Sequence, residues 1–192
     1  MKGKNFSGNN ASGKRKKSDF YETHYSLTRQ ILEREDLPGT ILEPACGNNA
    51  IVSVLLEKYT GITHYDLSGG MDFLKESNPY DTIITNPPYS LAFEFIQKAK
   101  EVAKQKIIML LPLSYLHGVE RYNKIYQDTT FPLKCVYVFT RYPLFGEPLR
   151  QDGKYSTGMI VFGWFCWEKG YVGEPAIRWI NNQEFILSKK DK

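Results

Sequence analysis

Short apolar runs typical of strands alternate with amphipathic helical segments between residues 26 and 111, and this alternation constrains the fold most. The predicted strands cover residues 40–43, 61–65, 80–85 and 106–111. The predicted helices cover residues 26–35, 50–59 and 91–104. Strands that alternate with helices form a parallel sheet covered by helices, and such sheets bind ligands at the carboxyl ends of their strands. The sequence therefore predicts an α/β fold.

The last third of the chain has a different pattern. Residues 133–139 and 158–167 are rich in β-branched and aromatic side chains, and no helical segment is evident between them. Two strands joined in this way indicate an antiparallel edge. We therefore expect a mostly parallel twisted sheet with an antiparallel edge and flanking helices, in one domain of residues 19–187.

The length and the cysteines exclude several classes of protein. We expect a chain of 192 residues to form one domain, with no second domain beside it. Its three cysteines, Cys46, Cys135 and Cys166, show no paired spacing, so we predict neither a disulfide framework nor a metal site. The sequence has no signal peptide and no apolar run of membrane-spanning length. We expect a cytoplasmic protein with no membrane partner.

The net charge of +4 is unevenly distributed along the chain. Residues 1–18 contain six Lys and Arg and no acidic residue, and the tail of residues 188–192 adds +2, which leaves −4 for the rest. The first 18 residues are also poor in apolar side chains, so we predict a disordered basic arm. Such an arm suits a polyanionic partner, and the alternative interpretation is a solubilising tail.

Residues 43–49 indicate a cofactor-binding loop. The predicted strand ends in Glu43, a turn of small residues follows, and a helix begins. Gly47 permits a close backbone approach, and a helix N-terminus favours a negative group. The loop lacks the GxGxxG pattern, which disfavours a dinucleotide. Asp66 ends the next predicted strand, where an acidic side chain can accept hydrogen bonds from ribose hydroxyls.

Asn86-Pro87-Pro88-Tyr89 directly follows a predicted buried strand. The two prolines fix the backbone, so that the Asn86 amide and the Pro87 carbonyl point in set directions. Two acceptors and the ring of Tyr89 suit a planar amine, whose N–H groups bind the acceptors while the ring stacks on the heterocycle. The alternative interpretation is a rigid strand exit with a packed tyrosine.

These two motifs together resemble those of S-adenosylmethionine-dependent DNA adenine methyltransferases, which act on the 6-amino group. The chain is also similar to small phage-type and prophage-type members of that family, and the resemblance spans about residues 19–180. It implies a Rossmann-like methyltransferase fold with S-adenosylmethionine as cofactor and S-adenosylhomocysteine as product. It also implies that DNA is the partner, with a possible dimer or specificity partner.

The resemblance assigns roles to individual residues. The catalytic residues are Asn86, Pro87, Pro88 and Tyr89. The cofactor-binding residues are Tyr21, Thr23, Glu43, Pro44, Ala45, Cys46, Gly47, Asn49, Asp66, Asp72, Phe73 and Asn86. Tyr89 and Phe145 stack on the substrate base. Two positions depart from the family pattern: Asn49 replaces a glycine, and His24 replaces a proline. Asn tolerates the left-handed backbone better than other side chains do.

Three other functions remain open from the sequence. The same motif geometry serves adenine in RNA and the glutamine amide in proteins, because each target is a planar NH₂ group. A catalytically silent cofactor-binding partner subunit is the third. Cytosine C5 methylation is disfavoured, because none of the cysteines follows a proline.

Further groups of residues are interpreted as structural. Lys98, Lys100, Lys104 and Lys106 are interpreted as the solvated face and end of a helix, and His64 and His117 as surface or satisfied histidines. The tryptophans at 164, 167 and 179 are interpreted as core or sheet edge.

Overall fold

The computed structural model describes residues 23–140 and 160–182, and these residues form a single sheet with helices on both faces. The predicted arm and tail, residues 1–18 and 188–192, lie outside the described residues. The strands, in chain order, are β1 Ile41–Glu43, β2 Ile62–His64, β3 Tyr80–Thr85, β4 Ala103–Pro112, β5 Leu133–Phe139, β6 Phe162–Glu168 and β7 Ala176–Ile180.

The helices connect these strands on the two faces of the sheet. They are α1 Tyr25–Leu32, α2 Ala50–Leu55, α3 Ala92–Val102 and the short α4 Val119–Arg121. The chain continues from α4 as a π-helical turn over Tyr122–Tyr126. Short 3₁₀ turns occupy Leu67–Gly69, Phe73–Lys75, Tyr89–Leu91 and Leu113–Leu116.

The strand order is β2-β1-β3-β4-β6-β5-β7. Strand β6 is antiparallel to both β4 and β5, while the other pairs are parallel. The prediction of a mostly parallel sheet with an antiparallel edge and flanking helices is confirmed. The structure adds β7, which pairs with β5 and which the sequence pattern did not reveal.

Strand β4 shows how the two faces of the sheet are covered. Its residues Ile107, Met109 and Leu111 pack in the cluster that contains α3, whereas Ile108 and Leu110 pack in the cluster that contains α1 and α2. A strand covered on both faces reads as a continuous apolar run, which explains its clear sequence signal. Both faces of the sheet are therefore covered by helices. In a sheet of this kind, ligands bind at the ends of the strands.

The tryptophans are found where the sequence predicts them. Trp164 and Trp167 are fully buried in β6, and Trp179 is exposed on the edge strand β7. The indole nitrogen Nε1 of Trp164 donates to the Leu27 carbonyl oxygen of α1 at 3.0 Å. This hydrogen bond fixes α1 to the antiparallel strand β6.

Lys106 differs from its predicted role as part of a solvated face. Because β4 begins at Ala103, Lys106 already lies within the sheet, and it is buried. Its ammonium Nζ is 2.8 Å from the Glu35 Oε2 oxygen, and the Tyr137 hydroxyl donates to Glu35 Oε1 at 2.8 Å. Burial opposes ionisation of Glu35, but the hydrogen bonds from Lys106 and Tyr137 outweigh it and hold the pKa of Glu35 below its usual range.

Candidate active site

Three loops meet at the carboxyl edge of the sheet. Strand β1 lies between β2 and β3 and runs parallel to both, so the loops that follow these strands lie side by side. They are residues 44–49, residues 65–72 and residues 86–91. The sequence predicts cofactor or catalytic residues in each of them, and the strand order brings them together.

The loop after β1 is held by Glu43, which is fully buried. Its Oε1 oxygen accepts a hydrogen bond from the Ala45 backbone N–H at 2.9 Å. Asn49 has φ 65° and ψ 25°, in the left-handed region, and α2 begins at the next residue. Asn49 is the non-glycine residue with positive φ among the described residues. Asparagine thus serves where the family pattern has glycine.

The pKa of Glu43 is raised to about 8, mainly because of burial and to a lesser degree because of the nearby negative charge of Asp66, while hydrogen bonding to Thr85 and Ala45 opposes the shift. The Oε2 oxygen of Glu43 faces the buried Thr85 hydroxyl, and neither atom makes a hydrogen bond of normal geometry. The proton on Glu43 is therefore retained to a pH well above the usual range of a glutamate.

We expect the free energy of unfolding to fall as the pH rises from 4.5 to 8, because the folded state holds a proton on Glu43 that the unfolded chain releases. Glu43→Gln removes this dependence, so the variant gains stability relative to the wild type over that range and the difference is constant above pH 8. Urea unfolding at pH 5, 7 and 9 measures the difference. Parallel pH profiles for the two proteins would contradict a raised pKa.

Asp66 lies at the end of β2 and is partly exposed. Its Oδ2 accepts from the Gly47 N–H at 3.2 Å, and its Oδ1 accepts from the Ser68 N–H at 2.8 Å. Burial opposes ionisation, but these hydrogen bonds outweigh it and lower the pKa of Asp66. An ionised carboxylate therefore faces the loop after β1.

The structure assigns different surroundings to Asp72 and Phe73. Asp72 Oδ1 accepts from the Leu74 N–H at 3.0 Å and so caps a 3₁₀ turn. Phe73 is 2% exposed, and its ring centroid is 4.9 Å from that of Phe95 in the core. The Phe73 ring is therefore engaged in packing, and its carbonyl oxygen accepts a hydrogen bond from the Glu76 N–H at 3.0 Å.

Sequence reasoning missed Glu76, which orders the loop between β2 and β3. The Tyr65 hydroxyl donates to Glu76 Oε2 at 2.9 Å, and the backbone N–H groups of Ser77 and Asn78 both donate to Oε1 at 2.9 Å. Tyr65 is the neighbour of Asp66, and its carbonyl oxygen accepts from the Cys46 N–H at 3.0 Å. Glu76 thus holds Tyr65 in place, and Tyr65 connects the loop after β2 with the loop after β1. The sequence signal for this role was the position of Glu76 directly before Ser77-Asn78-Pro79. These are turn-forming residues, and the backbone N–H groups of a turn can donate to a nearby carboxylate.

Asn86 follows β3, and its amide nitrogen Nδ2 donates to the Thr23 hydroxyl at 3.1 Å. This bond fixes the orientation of the side-chain amide. The amide oxygen Oδ1 is on the side of the amide opposite to the nitrogen that contacts Thr23. Thr23, predicted from the resemblance to bind the cofactor, is buried in contact with Asn86. The pairing joins residues 63 positions apart, and no local pattern predicts it.

His24 accounts for the second departure from the family pattern. Its ring nitrogen Nδ1 accepts from the Ser26 N–H at 3.2 Å, which caps the N-terminus of α1. Capping by a polar side chain satisfies an otherwise unpaired backbone N–H. His24 therefore stabilises the start of α1, which begins two residues after Thr23.

The rest of the loop after β3, which the sequence predicts to be catalytic, is packed against the sheet. Pro87 is buried, and Tyr89 begins a 3₁₀ turn with its ring centroid 5.4 Å from that of Phe162. The Tyr115 hydroxyl donates to the Tyr89 carbonyl oxygen at 3.5 Å. The predicted residues Tyr21 and Phe145 lie outside the described residues.

Cys46 lies within the loop after β1 and is partly exposed. Burial raises the pKa of its thiol, and the Glu43 and Asp66 carboxyls raise it further. Because the thiolate is the nucleophilic form, this cysteine is unsuited to nucleophilic catalysis.

Within residues 23–140 and 160–182, no three His, Cys, Asp or Glu side chains are grouped so that they could hold a metal ion. None of the helices in these ranges combines the length and the apolar character needed to cross a membrane.

No protein-family model and no curated protein sequence matches this chain. Solved structures do share its fold. A modification subunit of a putative type I restriction enzyme from Vibrio vulnificus YJ016 has a TM-score of 0.57 at 14% identity, over 89% of this chain and 48% of that subunit. The M protein of the type I restriction enzyme EcoKI (EC 2.1.1.72) has a TM-score of 0.53 at 12% identity, over 82% of this chain and 45% of that protein.

A predicted O-methyltransferase from Agrobacterium tumefaciens is similar over most of both chains. Its TM-score is 0.52 at 13% identity, and the match covers 82% of this chain and 86% of that one. The chain spans about half the length of the two restriction-enzyme subunits. The fold is therefore that of the Rossmann-like methyltransferases.

Proposed function

We propose that this protein transfers a methyl group from S-adenosylmethionine to the 6-amino group of adenine in DNA. The observation that carries the proposal is the oriented amide of Asn86 at the end of β3, adjacent to the β1 loop that faces the ionised Asp66. The fold supports a methyltransferase, and the site supports an amine as the acceptor of the methyl group.

The residues present fit a cofactor that carries a nucleoside. Asp66 is ionised and partly exposed beside Gly47, and a carboxylate at the end of the second strand accepts hydrogen bonds from ribose hydroxyls. The left-handed residues Gly47, with φ 49°, and Asn49 bend the backbone tightly before α2. S-adenosylmethionine, when bound, supplies a methyl group on a sulfonium centre. Glu43, Asp72 and the backbone of Phe73 complete the proposed binding residues.

Asn86 and Pro87 act on the amine. The lone pair of an adenine amino nitrogen is delocalised into the ring, which makes the nitrogen a poor nucleophile. Hydrogen bonds from its two N–H groups to the Asn86 side-chain oxygen and the Pro87 carbonyl oxygen localise that lone pair. The nitrogen would then bond to the methyl carbon as the bond between that carbon and sulfur breaks, and it would afterwards release one proton to solvent. Alignment of the three atoms lowers the barrier further.

The acceptor base must first leave the duplex. Extrusion costs a few kcal/mol, and base stacking on an aromatic side chain returns about 1–3 kcal/mol. Tyr89 lies within the catalytic loop and is the proposed stacking ring, with Phe145 as a second. A turn fixed by two prolines holds the Tyr89 backbone for this contact.

DNA is proposed as the substrate on two grounds. The first is the motif resemblance in residues 43–47 and 86–89. The second is that two of the similar structures are modification subunits of type I restriction enzymes. This chain spans about half of those subunits, and we propose a second copy or a specificity subunit as its partner, in the cytoplasm.

Nucleoside analysis tests the proposal directly. The protein is incubated with S-adenosylmethionine carrying a labelled methyl group and, separately, with duplex DNA, RNA and total protein. Enzymatic digestion and mass spectrometry then identify the labelled product, which we expect to be N6-methyladenine from DNA. Label in RNA, or in the glutamine of a protein, would show that this molecule and not DNA is the substrate. Cofactor binding without label in any of the three would overturn the enzymatic role.

A further inference from the structure

We propose that residues 113–126, here called the contact segment, bind duplex DNA beside the catalytic loop. Val119 and Leu116 press against the base stack where the target base leaves it, and Arg121 binds a backbone phosphate. The inference rests on the proposed function, because it concerns how that substrate is held. The argument uses the position, the rigidity, the exposed apolar side chains and the charge of the segment.

The contact segment lies at the same edge of the sheet as the candidate active site. It directly follows Pro112, the last residue of β4, and β4 is parallel to its neighbour β3, which ends at Thr85 before the catalytic loop. The hydroxyl of Tyr115 donates to the Tyr89 carbonyl oxygen at 3.5 Å. A duplex that places a base at Asn86 therefore passes close to this segment.

The backbone of the segment is anchored at both ends. The Tyr126 hydroxyl donates to the Tyr115 carbonyl oxygen at 2.8 Å. The Lys100 ammonium of α3 donates to the Ile125 carbonyl oxygen at 2.9 Å, and Ile125 is fully buried. The exposed side chains between these anchors are thus presented from a fixed backbone, which lowers the entropic cost of binding.

Three large apolar side chains of the segment are exposed. Leu116 is 42% exposed, Val119 is 79% exposed and Tyr122 is 56% exposed. Extruding a base leaves a gap in the duplex, and proteins that deform DNA commonly insert apolar side chains between base steps. Apolar side chains beside the catalytic loop fit that role.

Arg121 supplies a charge that matches DNA. Its guanidinium lies 4.5 Å from the centroid of the Tyr115 ring and donates to the carbonyl oxygens of Ser114 and His117. Within the described ranges, no carboxylate forms an ion pair with Arg121, whereas Lys124 is paired with Glu120 at 2.9 Å. A cation held in place and not neutralised is complementary to a phosphate.

The apolar contact is tested with a matched pair of exposed valines. Val119→Ser removes the proposed contact, and Val172→Ser alters a valine that is 93% exposed in the β6–β7 turn, at the opposite edge of the sheet. We expect Val119→Ser to lower the methylation rate on a paired duplex about tenfold, and to change it less than about twofold when an abasic site faces the target adenine. Val172→Ser should leave both rates unchanged. Equal rates for the two variants on the paired duplex would overturn the contact.

The charge is tested through the salt dependence of DNA binding. Arg121→Gln should reduce the slope of log K against log salt by about 0.9, the value for one phosphate contact. Lys169→Gln, in the β6–β7 turn that also contains Val172, should not change this slope. Arg121→Lys keeps the charge and should retain the wild-type slope, which separates loss of charge from loss of the packing on Tyr115. An unchanged slope in Arg121→Gln would overturn the phosphate contact.

These outcomes are distinguishable from failure of the proposed function. If the wild-type protein methylates no DNA, the proposed function fails before any variant is compared. If it methylates DNA and the Val119 and Arg121 variants behave as their controls do, the inference alone fails. Cofactor binding measured for each variant should equal that of the wild type, because the segment lies outside the proposed cofactor loops.

Discussion

Replacing Asn86 with Ala is expected to lower kcat for methyl transfer by about 10²–10³-fold, the usual effect of removing one preorganised hydrogen-bonding group. The substitution removes the oxygen that accepts an N–H of the amine and leaves the Thr23 hydroxyl without its donor. The dissociation constant of S-adenosylmethionine should change less than about threefold, because Asp66 and the β1 loop are retained. Single-turnover methylation and calorimetric cofactor titration measure the two quantities.

Asn86→Asp is the matched variant. Its carboxylate keeps an acceptor oxygen in the same place and can still accept from Thr23, so we expect activity well above that of Asn86→Ala. A fully active Asn86→Ala protein would refute the proposed catalytic role. A loss of cofactor binding equal to the loss of activity would instead make Asn86 a cofactor ligand.

Lys106→Met is expected to lower the free energy of unfolding by about 3–5 kcal/mol, because it leaves the buried Glu35 carboxylate without its main partner. Lys134, whose ammonium is 3.6 Å from Glu35 Oε2, compensates only in part. The loss should shrink as the pH falls below 4.5, because the stabilisation from the lowered pKa of Glu35 is full above the unfolded pKa and is lost as the pH falls through the folded pKa. Urea unfolding at pH 7 and pH 4 measures both effects.

The control for this prediction is Lys58→Met. Lys58 pairs with Asp36, the residue next to Glu35, but the two side chains are 50% and 91% exposed. Exposed pairs contribute about 0–1 kcal/mol, so this variant should remain close to the wild type. Equal losses in the two variants would show that burial of the Lys106–Glu35 pair is irrelevant to stability.

The central strands were predictable because their apolar runs have clear ends. β3 matches its predicted bounds, since Pro79 precedes it and Asn86-Pro87 follows it, and β5 matches as well. β7 was missed because Ile177, Arg178 and Trp179 are all exposed, and an edge strand with so little burial has no apolar pattern.

The position of a candidate-site residue was predictable where the residue lies at the end of a strand. Glu43 ends β1, and Asp66 and Asn86 follow β2 and β3, so the parallel strands place all three at one edge. The Thr23–Asn86 bond could not be predicted, because it joins positions that only the tertiary fold brings together. The same reason applies to the burial of Lys106, whose partner lies 71 residues earlier in the chain.

The fixation of α1 also determines when the protein can finish folding during its synthesis. The Leu27 carbonyl oxygen accepts a hydrogen bond from Trp164, which is 137 residues later in the chain. Glu35 accepts one from Tyr137, which is 102 residues later. Such distant contacts cost loop-closure entropy before they stabilise anything, and they slow folding. These two hydrogen bonds can therefore form only after most of the chain has left the ribosome. Helix α1 also packs against α2, which follows it closely in the chain, so these two helices can pair before the distant bonds form.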